Sequence, residues 1–450
     1  MKKAAIKKFA FYVFLSVTVI AYFLIRLPEL KQSFLTGTTH PYDFPQDYIA
    51  GQLLFAGKSL YPPDFMHLYE TTFLKKSLPP GDRVQFMNAH PPFTALLLSP
   101  LWLLSFHTAA LVWAITTAGC MFVIILLLLG SEDESLLFFP LAVLFAFAWK
   151  PFQLNLSMGQ TSILVTLFVI AGWYFLKRSR DGMAGIALAM ATMLKFYPGL
   201  LIVYLLISKR YKALLYSFIC IGAVGVVTFL TTRNDFVHFL SSVVPYDVHY
   251  WQAHLENYSL RGFAAKLFLS LRIVGTSGAF TASLNQFHLD VFLYSMDALL
   301  LLLIGWGVKR YDFTGDAGYS VFIIAALLLS PLCWDHYLTL LLLPLIVLIK
   351  ELSRKNTLFE IVLFLAALFL VSIDTGSVYF QKAMEIAHAF ISGNPLDRVY
   401  RLTFYSAQFY GMVLLLFLNF RMIKRCPPER DRVTMHKNTS PPCQGTTTAR

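Results

Sequence analysis

Residues 9–25 read FAFYVFLSVTVIAYFLI, and they follow Lys2, Lys3, Lys7 and Lys8. An apolar run of this length without strand alternation has the span of a bilayer helix. Backbone amides in lipid must be satisfied within the protein, so a spanning segment is a helix or part of a closed barrel. Runs of the same kind recur along the 450 residues, of which 57% are hydrophobic and 14% charged. The mean hydropathy is +0.61. A soluble domain has no interior for so many apolar side chains, because its surface must be polar. The fold class expected is all-α, a polytopic integral membrane bundle.

The formal charge of +12 suggests nucleic acid only until its distribution is read. The basic residues fall between apolar runs: Lys177, Arg178 and Arg180; Lys209, Arg210 and Lys212; Lys309 and Arg310; Lys350, Arg354 and Lys355; Arg421, Lys424 and Arg425. That is the positive-inside pattern, so these loops and both termini are expected in the cytoplasm and no nucleic-acid partner is expected. Cys120, Cys220, Cys333, Cys426 and Cys443 have neither CxxC nor metal-ligand spacing and read as packing thiols. The first run lacks a small-residue cleavage site and reads as an uncleaved anchor.

Spans are expected at 9–26, 108–129, 135–149, 161–176, 213–231, 289–307, 357–373 and 403–420. Residues 27–91 and 232–288 then form two large outer loops, with a short re-entrant or membrane-parallel helix at 92–105. Two stretches break the pattern. Residues 183–208 and 318–349 are each flanked by basic residues on both sides, yet each is long enough only for a pair of half-helices. Their middles read Leu194-Lys195-Phe196-Tyr197-Pro198 and Ser330-Pro331-Leu332-Cys333-Trp334-Asp335-His336-Tyr337. Proline removes a backbone donor and disfavours helix at the residue before it. Broken helices at membrane depth are tolerated only around a polar space, so the two breaks are expected to share one. The total is roughly ten to thirteen helices in a single catalytic domain over 1–420, with a basic, Pro- and Thr-rich tail over 421–450.

Three positions carry candidate chemistry. Asp43 and Asp47 are four residues apart, and Pro45 between them puts Asp43 before a helix and Asp47 in its first turn. The bland reading is a helix cap; the functional one is a general base. Lys195 within an apolar stretch is a functional candidate by its cost, suited to a phosphate, with snorkelling as the bland alternative. His336 beside Trp334 reads as a phosphate donor or as part of an interfacial aromatic belt. His90-Pro91-Pro92 and Asn257-Tyr258-Ser259-Leu260-Arg261 are weaker. The sequence holds no P-loop, GxSxG or HExxH.

These pieces occur in an order that resembles glycosyltransferase family 87, polytopic enzymes of the GT-C class that include mannosyltransferases elongating phosphatidylinositol mannosides. The matching residues are Asp43-Phe44, Tyr48-Ile49-Ala50, Gly57, Leu60-Tyr61, His90-Pro91-Pro92-Phe93, Leu97, Pro100-Leu101, Gly159-Gln160, Gly185, Leu194 to Pro198, Asn257, Ser259-Leu260, Gly262, Ser330-Pro331 and Trp334-Asp335-His336. They extend from 43 to 337, about two thirds of the chain. The resemblance implies a GT-C-type bundle and an inverting transferase fed by a polyprenyl-phosphate monosaccharide, mannose first among the sugars. It also implies a lipid-linked or glycan acceptor and an active site facing outward. It makes Asp43 the base, with Asp47 the alternative one turn on. Lys195 and His336 would hold the donor phosphate, and Tyr48, His90, Gln160, Asn257, Arg261 and Trp334 would line the substrates. No cofactor is required by the motifs, and divalent-metal dependence stays open. The rival readings are a secondary transporter or lipid flippase, because broken helices also mark transport sites, and a non-catalytic scaffold of an envelope-glycan complex.

Overall fold

The computed structural model describes residues 2–39, 41, 43–74, 88–130, 135–268, 283–354, 357–374, 382 and 402–425. Every regular element among them is helical. The stretches Phe106–Leu129, Tyr211–Trp251 and Phe287–Arg310 are long and apolar enough to cross a membrane, and seven further apolar helices have 10–17 residues. Leu230, Leu302 and Phe369 are among many large apolar side chains left more than half exposed. A surface of that kind is matched by lipid rather than water. The chain is an all-α membrane protein.

The chain opens with α1 (Lys2–Thr39), α2 (Phe44–Phe55) and α3 (Phe65–Tyr69). It continues through α4 (Pro92–Leu98), α5 (Phe106–Leu129), α6 (Ser135–Ala148), α7 (Lys150–Met158) and α8 (Ser162–Lys177). The first broken pair follows as α9 (Asp181–Leu194) and α10 (Leu200–Ile207). Next come α11 (Tyr211–His238), α12 (Val244–Trp251), α13 (Leu260–Phe268) and α14 (Ser283–Arg310). The second broken pair is α15 (Asp316–Leu329) and α16 (Leu342–Arg354), and α17 (Leu358–Val371) and α18 (Ala407–Arg425) close the chain.

At the centre stands α15, buried continuously from Gly318 to Leu328. A helix apolar all round has to be enclosed by others, and α15 packs against α10, α16 and α18. Both expected breaks are present. Helix α9 stops at Leu194, four residues before Pro198, because the proline ring would strike the Leu194 carbonyl and offers it no N–H. Lys195 is extended (φ −149°, ψ 137°), and a 3-10 turn over Tyr197–Gly199 leads into α10. Helix α15 stops at Leu329, with Ser330 extended ahead of Pro331 and a 3-10 turn over Asp335–Leu341 leading into α16.

Several boundaries differ from those read in the sequence. The first helix runs past residue 26 to Thr39, through Pro28, so the expected loop at 27–91 begins as helix. The helix packs on α7, where Arg26 donates to the Gln153 side chain at 2.9 Å. The expected loop before Gly159-Gln160 is helix α7, with Pro151 in its first turn and left-handed Gly159 at its end. The segment expected as a second outer loop continues helically from α11 through a kink at Thr232 and a π-turn at Phe239–Val243 into α12. Helix α18 carries the start of the basic tail to Arg425. Residues 426–450, the acidic loop at 131–134 and most of the segment joining α17 to α18 lie outside the described residues.

Candidate active site

Asp43 stands at the N-cap of α2, and Asp47 lies in the first turn, as Pro45 requires. The Asp43 side chain makes no capping bond to its own helix. Instead its Oδ2 accepts from Gln160 Nε2 at 2.6 Å. Its backbone N–H donates to Met158 O at 2.9 Å, so the start of α2 is tied to the end of α7. Gly159 makes the junction possible. Its φ is +71°, and a Cβ there would lie 2.7 Å from the Phe44 Cβ. A Gly159→Ala substitution therefore costs about 1–2 kcal/mol of left-handed strain before any steric term. We expect a lowered thermal midpoint and roughly tenfold lower activity, since Asp43 and Gln160 flank the disturbed joint; an unchanged midpoint would refute this packing.

Lys195 occupies the first helix break and is 8% exposed. Its ammonium donates to Gln160 Oε1 at 3.3 Å and to Ser162 Oγ at 2.9 Å, and it lies 4.2 Å from the Tyr337 ring centroid. It does not snorkel. The Gln160 amide thus joins the cation of one break to the carboxylate of the loop before α2. Tyr197 and Tyr337, one from each break, stack at 5.0 Å. The two breaks meet at one place.

His336 stands next to this stack, its ring edge-on to Tyr337 at 4.8 Å. Its carbonyl accepts from Asn155 Nδ2 at 2.8 Å, and its buried Nε2 has no hydrogen-bond partner among the described residues. Asp47 is almost fully buried. Its Oδ1 is 2.7 Å from His90 Nδ1, while its Oδ2 is buried and unpartnered, as is the Tyr197 hydroxyl. Tyr61 holds His90 in place by donating to its carbonyl at 2.6 Å. Asp47 Oδ2, the Tyr197 hydroxyl and His336 Nε2 are thus three buried polar atoms without partners among the described residues, and each costs free energy when left unpaired.

Burial pushes the Asp43 carboxyl above its ordinary value, against the opposing pull of the Gln160 amide, His90 and Lys195; nearby Asp47 adds to the rise. A carboxylate of raised basicity is a better proton acceptor.

Of the residues singled out in the sequence, Asp43, Asp47, His90, Gln160, Lys195 and His336 come together. Tyr48 stands apart, donating to the Leu104 carbonyl and packing on Trp102 and Phe106. Asn257 clamps the second break: its Nδ2 donates to Pro331 O at 3.2 Å, and its Oδ1 accepts from Cys333 N at 3.0 Å. It thereby orients the segment that carries His336. Arg261 reaches Gln252 at 3.4 Å and Asp290 at 3.8 Å. Trp334 lies edge-on to Trp251 and His254. Ser162 carries no signal in the sequence, and Tyr197 and Tyr337, quoted with the two breaks, are given no role there. No group of three or more His, Cys, Asp or Glu suited to a metal occurs among the described residues.

A family model described as glycosyltransferase family 87 matches residues 88–334. That range contains His90, Gln160, Lys195, Asn257, Arg261 and Trp334; Asp43 and Asp47 precede it and His336 follows it by two residues. The chain is 24% identical over 253 residues to a curated protein of Mycobacterium tuberculosis (strain CDC 1551 / Oshkosh) named polyprenol-phosphate-mannose-dependent alpha-(1-2)-phosphatidylinositol pentamannoside mannosyltransferase, covering 55% of each chain. It is 24% identical over 262 residues to the protein of the same name from Mycolicibacterium smegmatis (strain ATCC 700084 / mc(2)155), covering 55% of this chain and 57% of that one. The chain spans about half the length of these curated relatives.

Proposed function

The chain belongs to glycosyltransferase family 87, and from that premise we propose that it transfers a hexose, mannose first, from a polyprenyl-phosphate monosaccharide to a hydroxyl of a lipid-linked or glycan acceptor. The reading takes its donor from the named dependence of the two relatives on polyprenol-phosphate mannose. The observation that carries it is the link from Lys195 through Gln160 to Asp43. A cation suited to a leaving phosphate and a carboxylate suited to an attacking hydroxyl are held by the two ends of one amide.

In this mechanism Asp43 accepts the proton of the acceptor hydroxyl as its oxygen bonds to the anomeric carbon. The bond from that carbon to the phosphate oxygen breaks, and the polyprenyl phosphate departs with the electron pair. Attack on the face opposite the leaving group inverts the anomeric centre. Lys195 and the unpartnered Nε2 of His336 stabilise the charge gathering on the phosphate. The phosphate ester already activates the sugar, so no nucleotide is needed. The positive-inside pattern favours an active site on the outer face of the cell membrane and both termini inside.

Purified protein incubated with radiolabelled polyprenol-phosphate mannose and a lipid extract is expected to label a new glycolipid, while nucleotide-linked mannose is not used. Label crossing a vesicle bilayer with no new product would instead mark a transporter.

The raised Asp43 value sets the pH dependence. Only the deprotonated carboxyl accepts a proton, so kcat/KM should fall as pH drops through a value above the ordinary 3.8. A rate that stays flat down to that ordinary value would remove Asp43 from the role.

A further inference from the structure

Helix α12 carries an acid that the mechanism above does not use. Asp247 is 7% exposed, and its Oδ1 has no hydrogen-bond partner among the described residues. Helix capping does not account for it, because α12 continues directly from the preceding π-turn and has no open N-terminus. Val243, one turn before Asp247, packs with Tyr61 and with Ile49 and Ala50 of α2 in one buried cluster. Tyr61 in turn donates to the carbonyl of His90, whose ring meets Asp47. Asp247 therefore belongs to the surroundings of the same centre, carried there by α12 rather than α2. Trp251 lies one turn further along α12, on the same face as Asp247. Its ring is 5.8 Å from that of Trp334, edge to face, and both indoles are partly exposed.

We propose that Asp247, Trp251 and Trp334 form a subsite for a hexose ring, the carboxyl group hydrogen-bonding sugar hydroxyls and the indoles covering its C–H face. The inference rests on the glycosyltransferase reading and names the part of the substrate this region holds. The chemistry selects the sugar end. A buried carboxyl group exchanges hydrogen bonds with hydroxyls, whereas a phosphate goes to the cation at Lys195. Indoles offer broad apolar faces with a polar N–H edge, matching a pyranose with its apolar C–H surface and polar rim. A hydroxyl also removes the cost of the buried, unpaired Oδ1.

The test is steady-state kinetics of the full-length protein with polyprenol-phosphate mannose and a purified mannosyl-phosphatidylinositol, each varied against saturating levels of the other. Asp247→Ala should raise one KM about tenfold while kcat stays within a few fold, the loss of the carboxyl's hydrogen bonds to the sugar. A raised donor KM assigns the subsite to the donor hexose, and a raised acceptor KM assigns it to the acceptor sugar. Asp247→Glu should recover part of the affinity, which a merely structural role would not permit. Two unchanged KM values, or a loss confined to kcat, overturn the proposal. Quenching of tryptophan emission by methyl mannoside, lost in Trp251→Phe, provides a second readout that does not depend on turnover. A wild-type protein that makes no glycolipid but retains this quenching would strike the transfer reaction and leave the sugar subsite standing; absence of quenching together with unchanged KM values strikes the subsite alone.

Discussion

Asp43→Asn is expected to lower kcat by about 10²–10⁴-fold with little change in folding, the range associated with loss of a positioned general base. The substitution keeps the shape of the side chain and leaves an oxygen for the Gln160 amide, whose bond to Oδ2 is now 2.6 Å. What disappears is the capacity to take a proton. Asp47→Asn should cost much less in kcat, because the Asp47 Oδ1 is already occupied by His90 at 2.7 Å. Its effect should fall on the packing around His90 and hence on stability. Turnover of both purified variants, with their thermal midpoints, decides the matter. If Asp47→Asn is inactive and Asp43→Asn turns over normally, the base has been assigned one helical turn too early.

Lys195→Ala is expected to lower kcat/KM for the donor by about 10²–10³-fold, comparable to removing a preorganised stabiliser of developing negative charge. The loss has two sources. The leaving phosphate is deprived of a desolvated cation, and Gln160 loses the donor that helps hold its amide toward Asp43. The acceptor KM should change far less. Lys195→Arg should restore only part of the rate: Ser162, Gln160 and the Tyr337 ring enclose a compact ammonium at 2.9, 3.3 and 4.2 Å, and a planar guanidinium has a different shape. Equal damage to the apparent affinities of donor and acceptor would contradict a role at the phosphate.

The helix breaks were legible because proline acts locally. Pro198 fixes the end of α9 at Leu194 and Pro331 forces Ser330 out of the helix, whatever surrounds them. The division between Asp43 before α2 and Asp47 inside it follows from Pro45 in the same way. Helix α7 carries local signals of its own, with Pro151 in its first turn and Gly159 after its last. The continuation of α11 toward Trp251 is marked only by Pro245 in the first turn of α12, which alone does not separate a helix from a loop. Partners distant in sequence were out of reach. Nothing local pairs Gln160 with Asp43, which is 117 residues away, or commits Asn257 to the backbone of Pro331 and Cys333. Asp247 has no local signal in the sequence, and only the folded chain reveals its buried oxygen, unpartnered among the described residues. Periodicity identifies which face is buried but not what meets it.

The most direct measurement of the central claim is an experimental structure of the protein with a polyprenyl-phosphate hexose bound. The account predicts phosphate oxygens within hydrogen-bond distance of Lys195 Nζ and His336 Nε2, with the open face of the anomeric carbon turned toward Asp43. A phosphate seated away from the two helix breaks, with Asp43 facing no part of the sugar, would contradict it.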